Sequence, residues 1–358
     1  MPAAVKTPVV TAVARALPPH YHSQAELSQG LQDYWREGGH TFNKSRVDAL
    51  HGSVQVRGRH LAIPMSDYPP LNTFETRNAV WIREAVRLGE EAVRAAVKKA
   101  GLELRDIDAL CFTSITGLAT PSIDARLVNK LGLRPDVKRL PIFGLGCVAG
   151  VAGTARVSDL LRGFPGHTAV LLSVELCSLT VQRDDLSLSN IIASGLFGDG
   201  ASAVVIRGGD ASDAGPRVVA SESVFYPDTE DVMGWDFTDS GFKVVLSARV
   251  PEMVLTNVRR NVDGFLAKHG LTRADVTHWV AHTGGPKVLE AFEQALELPP
   301  EALARSWESL RSVGNLSSSS VLYVLGDLLD SGVPKRGDVG LMMAMGPGFC
   351  SELVLLRW

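Results

Sequence analysis

The chain has 358 residues, is 45% hydrophobic and 21% charged, and carries a formal net charge of −3. It is long and apolar enough to bury a large core in one large or two ordinary domains. It has no basic tract or aromatic-basic array, which argues against a nucleic-acid partner, and no apolar run nears the roughly 20 residues needed to insert into a membrane.

Met1 to Leu17 is mildly apolar, is interrupted by Arg15 and ends at Pro18-Pro19. It reads as a first strand rather than a signal peptide. Residues 23–53 are polar with helical segments and include Lys44 and Arg46; Arg57 to His60 is a short basic piece. Apolar side chains at Val80, Ile82, Ala85, Val86, Leu88, Val93 and Val97 predict a long helix over 73–100. A strand follows at Ile107–Ser114, then a loop over 117–122 and a helix ending near Leu131-Gly132. The run from Leu140 to Gly146 reads as a buried strand and a tight turn, with a helix starting at Cys147. Thr168–Val174 is the next buried strand, and Gly195–Ala201 a glycine loop before a strand at Ala203–Ile206. Gly208 to Pro216 is rich in Gly, Asp and Ser and marks the boundary between halves, placed at 1–210 and 211–358. The four cysteines, Cys111, Cys147, Cys177 and Cys350, have no metal-ligand spacing. Reduced thiols in a cytoplasm, with no metal, are the expectation.

The second half repeats the first at a nearly constant offset. Ala92–Leu102 is similar to Asn261–Leu271, and Asp106-Ile107 falls on Asp275-Val276. Thr113-Ser114 falls on His282-Thr283, Gly146-Cys147 on Gly314-Asn315, and Asp159–Leu161 on Asp327–Leu329. The period is too long for a solenoid. Two copies of one α/β unit paired about a pseudo-two-fold axis would place Cys147 and Asn315 at equivalent helix starts. His282, which ends the predicted strand Thr277–Ala281, would face the same cavity.

A lone buried cysteine is more often inert than reactive. At a helix start, however, the dipole favours the thiolate, and a nearby histidine can pair with it as imidazolium. Histidine and asparagine aimed at one point make an oxyanion hole. Such a constellation suits acyl transfer through a cysteine thioester and decarboxylative carbon–carbon bond formation, with no cofactor. Two other arrangements share parts of this pattern. Gly144, Gly146 and Gly150 followed by Glu175 imitate a dinucleotide-binding fingerprint. A papain-type hydrolase also orders Cys, His and Asn along its chain, but its local signature is absent here.

Over essentially its whole length the chain resembles the type III polyketide synthases, the chalcone synthase-like enzymes. The resemblance rests on Arg59-His60, Gly132–Arg139, Gly146-Cys147 with Ala149-Gly150, Leu196–Ala201, His282–Pro286, Gly314-Asn315 with Ser317-Ser318, and Gly346-Pro347-Gly348. It implies an α/β thiolase fold, five-layered αβαβα from two related halves, a homodimer, and acyl-CoA and malonyl-CoA as substrates. It also implies that Cys147 is the nucleophile, that His282 keeps it as thiolate and helps bind the thioester oxygen, and that Asn315 joins His282 in malonyl-CoA decarboxylation. Phe197 matches a gatekeeper between CoA tunnel and cavity, and Cys177, Thr180 and Ser317 match cavity-lining positions. Gly284, Gly285 and Gly346–Gly348, including Pro347, match backbone beside the pantetheine arm.

The chain departs from the plant pattern at several of these places. Val244 stands where a second gatekeeper phenylalanine is found, and Thr120 where a methionine enters the partner's cavity. Of three basic residues that hold CoA phosphates, only Arg46 is matched. The smaller residues at Val244 and Thr120 imply a roomier pocket. Ser114–Ser122 and Gly234–Gly241 resemble bacterial enzymes that extend fatty acyl-CoAs to alkylpyrones or alkylresorcinols. Ile115 replaces the second reactive cysteine of tetrahydroxynaphthalene synthases, which argues against that product. The expected enzyme is a malonyl-CoA-dependent acyltransferase with a medium- or long-chain fatty acyl starter. A ketoacyl synthase performing a single condensation would share the same three residues.

Overall fold

The structure, a computed structural model, describes residues 6–209 and 214–358. The first residues of the predicted opening strand and the centre of the predicted boundary lie outside the described residues. In chain order, β1 (Val9–Ala16) and β2 (His20–Ser23) lead into α1 (Gln24–Glu37), α2 (Lys44–Ser53) and β3 (Gly58–Leu61). Then come α3 (Phe74–Lys99), β4 (Ala109–Thr113), α4 (Ile123–Leu131), β5 (Lys138–Ile142), α5 (Ala149–Gly163), β6 (Thr168–Leu176), α6 (Leu188–Leu196) and β7 (Asp199–Arg207). The second half comprises β8 (Arg217–Phe225), β9 (Met233–Thr238), β10 (Gly241–Leu246), α7 (Val250–Ala267), β11 (His278–Ala281), α8 (Pro286–Leu296), α9 (Ala304–Val313), α10 (Ser318–Asp330), β12 (Val339–Gly346) and β13 (Cys350–Arg357).

Nine strands form one sheet in the order β11-β12-β13-β8-β1-β7-β6-β4-β5. The duplication is visible in its pairing. β4 and β6 are parallel, and β6/β7 and β7/β1 antiparallel. β11 and β12 are likewise parallel, and β12/β13 and β13/β8 antiparallel. The two halves join where β1 meets β8 at Val9 and Arg217.

Strand alternation distributes the side chains into three cores, which define the layers. On β6, Val170 and Leu172 point to an outer core shared with α3, whereas Ala169 and Leu171 point inward. On β12, Leu341 and Met343 join an outer core with α7 and α8, whereas Met342 and Ala344 point inward. The inner core belongs to α5 and α10, which lie between the two halves of the sheet. The result is helix, sheet, helix, sheet, helix. Most of α5 and nearly all of α10 is buried. Apolar residues therefore run almost all round α10 instead of along one stripe.

The long helix falls where the periodicity places it. A Thr73–Thr76 capping box opens α3, and Val80, Ala85, Leu88, Val93 and Val97 are buried; Trp81, Ala92 and Ala96 complete that face. The strand before Cys147 is different from its reading. β5 is the edge of the sheet, and Lys138, Arg139 and Pro141 are exposed on it. Its apolar run suggested a buried strand, but Pro141 has no N–H for a ladder and suits an edge. β7 begins at Asp199, inside the stretch read as a glycine loop.

The closest constraint in the inner layer is at Gly150. A Cβ there would lie 2.4 Å from the Ser318 carbonyl oxygen of α10 and 2.6 Å from Val321. Gly163, at the other end of α5, has open space where its Cβ would be. Within one helix, Gly163→Ala should leave thermal stability unchanged or raise it. Gly150→Ala should lower stability by about 1–3 kcal/mol, since crowding outweighs the gain in helix propensity. Thermal melting of the two variants checks this, and equal effects would contradict the close crossing.

Candidate active site

Cys147 lies in a 3₁₀ turn, Gly146–Val148, that runs directly into α5. Gly146 has φ 54°, and a Cβ on it would meet the Pro347 ring at 2.8 Å. A Cβ on Gly346 would come within 3.0 Å of the Val148 nitrogen. The loop after β12 thus presses on both sides of the turn, and only glycine fits at these contacts. Cys147 Sγ lies 3.7 Å from Ser317 Oγ, at the start of the equivalent helix α10. The two helix starts are side by side, as the duplication implies. Burial pushes the Cys147 thiol up to about 12, against the opposing effect of the Ser317 hydroxyl.

Asn315 is buried in the turn between α9 and α10. Its Oδ1 accepts from the Ser317 N–H at 2.8 Å and from Ser320 Oγ at 3.4 Å. The carbonyl side of the amide is therefore occupied, and the Nδ2 hydrogens form its free edge. Its backbone pairs with Phe197: Asn315 N–H donates to Leu196 O at 2.9 Å, and Gly198 N–H donates to Asn315 O at 3.0 Å. Asn315 is two residues short of the cap position, which Ser317 occupies.

His282 follows β11, and its N–H donates to Met343 O on β12 at 2.9 Å. It is 2% exposed, and neither ring nitrogen has a hydrogen-bond partner among the described residues. Burial alone lowers its pKa to about 3. Cys147 and His282 are thus both driven toward their neutral forms. No hydrogen bond joins Cys147 and His282 among the described residues; the hydrogen-bond partner of Sγ is Ser317 Oγ.

A narrow cavity of about 50 Å³, room for a few waters, opens behind Cys147. Phe197, Cys177, Val244, Ser317 and Pro347 line it as expected. The rest of its wall includes Ile115, Thr116 and the hairpin β9–β10, which contributes Met233, Trp235 and Leu246. Bulky side chains, Met233 and Trp235, share this hairpin wall with Val244. Thr180 is buried beside it and donates to Cys177 O at 2.8 Å, outside the lining. Gly284, Gly285, Gly346 and Gly348 do not line it either. Thr120 is exposed on its loop, and Arg46 is exposed on α2 beside a separate surface groove with Phe42 and Leu188.

Residues 3–211 match the model of chalcone and stilbene synthases, N-terminal domain, and residues 217–358 match that of the C-terminal domain. The chain belongs to the chalcone and stilbene synthase family. It is a type III polyketide synthase, and so an acyltransferase that uses malonyl-CoA. It is 52% identical to a 1,3,6,8-tetrahydroxynaphthalene synthase of Streptomyces peucetius subsp. caesius, over 98% of this chain and 93% of that one. It is 38% identical to a putative chalcone synthase of Bacillus subtilis, over 95% and 96%. The crystal structure of 1,3,6,8-tetrahydroxynaphthalene synthase from Streptomyces coelicolor A3(2) matches with a TM-score of 0.91 at 31% identity, over 98% and 99%. The thiolase fold expected from the sequence is therefore that of this synthase.

The dinucleotide fingerprint has a structural explanation in the synthase. Gly150 makes room for the α10 backbone rather than for a pyrophosphate. Glu175 is wholly buried, accepting from Ser318 Oγ, from Thr116 Oγ1 at 2.9 Å and from Ile115 N–H at 3.1 Å. Met233, Trp235 and Leu246 were missed as pocket residues. Only Trp235 fell within a singled-out stretch, Gly234–Gly241, which pointed to a relative and not to a position in space.

The depressed His282 pKa has a consequence for stability. Its folded value, about 3, lies below the unfolded value near 6.5, so between them the unfolded chain binds the extra proton. The stability this contributes is fully present above roughly pH 6.5 and is lost as pH falls toward 3. His282→Gln should flatten the acid side of a plot of melting temperature against pH, while leaving the plot between pH 7 and 8 parallel to that of the parent. An unchanged acid slope would contradict the buried neutral ring.

Proposed function

We propose that the synthase loads a medium- or long-chain fatty acyl group on Cys147, extends it with malonyl-CoA, and closes the product to an alkylpyrone or alkylresorcinol. Cys147 Sγ attacks the starter thioester, and CoA leaves as its thiol. At the extender thioester carbonyl, the free Nδ2 edge of Asn315 and the unpartnered ring of His282 serve as hydrogen-bond donors. They stabilise the enolate left when carbon dioxide departs. The enolate carbon then attacks the Cys147 thioester and releases the sulfur. Ring nitrogens with no protein partner are what this role requires, since a satisfied imidazole would have to break a bond first.

The observation that carries the starter assignment is the apolar wall of the cavity. Ile115, Phe197, Met233, Trp235, Val244 and Leu246 offer a hydrocarbon chain contact and offer polar oxygens few donors. Ile115 also puts a side chain without a thiol beside Cys147. A second reading, a small polyhydroxylated aromatic built on a short starter, is favoured by the narrowness of the cavity. The name of the 52% identical relative points the same way.

Arg46 is the proposed contact for CoA phosphate, at the surface and exposed, where a mobile anion can reach it. A homodimer is proposed as the working form, in a cytoplasm that keeps the four free thiols reduced. Thr120 is exposed and does not line this chain's own cavity, and Phe143, next to edge strand β5, is 50% exposed. Among the described residues, no helix is long and apolar enough to cross a membrane.

Mass spectrometry of products from malonyl-CoA with acyl-CoA starters of graded length tests the assignment. Turnover should rise with chain length into the medium or long range. Turnover confined to short or aromatic starters would support the second reading. Trp235→Ala should move the optimum to longer starters. Asn315→Ala should lower turnover by about 100- to 1000-fold, the cost of one oxyanion-type donor, while an acyl adduct still forms on Cys147.

A further inference from the structure

Arg59 belongs to the sequence motif but has no place in the chemistry above. It lies on β3, is 3% exposed, and donates from Nη1 to Ser194 O at 2.6 Å and to Phe197 O at 2.8 Å. These are carbonyls at the C-terminal end of α6, where a cation complements the helix dipole. Of the two carbonyls between them, that of Gly195 accepts from Gln24 Nε2 and that of Leu196 from the Asn315 N–H. The guanidinium and Asn315 thus hold one stretch of backbone from two sides.

The same side chain fills the angle between the two loops. A Cβ on Gly314 would lie 3.0 Å from Arg59 Cδ and 2.7 Å from Leu196 O, and Gly314 has φ 76°. A Cβ on Gly198 would lie 2.4 Å from Val313 O and 3.5 Å from Arg59 Cγ. Just before Arg59, the Arg57 N–H donates to Arg311 O near the end of α9 at 2.8 Å. The end of α6, the start of β7 and the end of α9, which meet at the Phe197–Asn315 junction, therefore each touch β3 or Arg59 itself. Asp199, the nearest counter-charge, is also buried and is held by the N–H groups of Ala62 and Ser178. A buried guanidinium is costly unless its bonds do something a neutral side chain cannot.

We infer that Arg59 is a positioning residue for the condensation step, fixing the Phe197–Asn315 junction so that the Asn315 amide and the Phe197 ring keep their places beside Cys147. The inference rests on the roles proposed above for Asn315 and Phe197. It separates two half-reactions. Acylation of Cys147 needs the thiol and the turn before α5, which Arg59 does not touch. Decarboxylation of malonyl-CoA needs Asn315, which hangs from the junction.

The test measures both half-reactions in Arg59→Lys, which keeps the charge but whose shorter side chain ends before the position of Nη1, the one nitrogen that holds both carbonyls. Acylation is followed by intact-protein mass spectrometry with an acyl-CoA, and decarboxylation by acetyl-CoA formed from malonyl-CoA alone. Rates are expressed per acylatable Cys147, so that loss of folded protein does not enter. Decarboxylation should fall about 10- to 100-fold, as expected for a displaced catalytic group, mainly in kcat rather than in KM, with acylation near the parent rate. Unchanged decarboxylation, or an equal fall in both half-reactions, would overturn the inference. If Arg59→Lys gives no soluble protein, Gly198→Ala disturbs the same junction from the other side and should give the same split. Asn315→Ala in the same assay keeps the premises apart. If it abolishes decarboxylation while Arg59→Lys does not affect it, only the Arg59 inference fails. If it retains decarboxylation, the Asn315 assignment fails and takes the Arg59 inference with it.

Discussion

The fold depends on one close approach, the crossing of α5 and α10 at Gly150 and Ser318. A Cβ at Gly150 would overlap the α10 backbone, so the two helices meet without a side chain between them. That lets Cys147 and Ser317, each at the start of its helix, come within 3.7 Å. A duplicated α/β unit places its two central helices in equivalent positions. It does not by itself bring their N-termini into contact; the glycine does. The layers then follow, because two helices this close are sheltered on both sides by the halves of the sheet, and α10 is apolar nearly all round.

The same burial sets the electrostatics. Taking a thiol and an imidazole out of water favours their uncharged forms, and both shifts here run that way. A thiolate in this site is opposed by burial, and the Ser317 hydroxyl works against that shift. The neutral ring also suits the second half-reaction, since a neutral imidazole still carries one N–H to donate. Asn315 needs no such switching. Its carbonyl oxygen is tied down by the Ser317 N–H, which leaves a single orientation for the amide.

Much of this was legible in the sequence, and the reason differs between elements. The α3 stripe and the strands of the two halves follow from periodicity, a local property. The equivalence of Cys147 and Asn315 follows from the internal repeat, which carries long-range information that periodicity lacks. The edge position of β5 was not legible from its apolar residues, because an apolar run says that a strand is covered but not by what; Pro141 was the better signal. The cavity floor was not legible either. Val244 was read alone, whereas Met233 and Trp235 arrive on the facing strand of the same hairpin and share its wall. Volume in a packed pocket belongs to a set of neighbours and not to one position.

That last point bears on what distinguishes this synthase from its relatives. Cys147, Asn315 and His282 are fixed by the central helices and by the strand next to β12, all in the buried layers. The cavity is different: much of its wall comes from β9–β10, a two-stranded sheet outside the nine-stranded one. Substitutions there can alter volume and polarity without reaching the Gly150 crossing. Over 52% identity with a relative named for a naphthalene product, the reacting residues and the product are therefore not tied together. Ile115 follows β4 and shares the cavity wall with Cys147. Cys147, Asn315 and His282 follow from the repeat, whereas the hairpin side of the cavity has no counterpart in it.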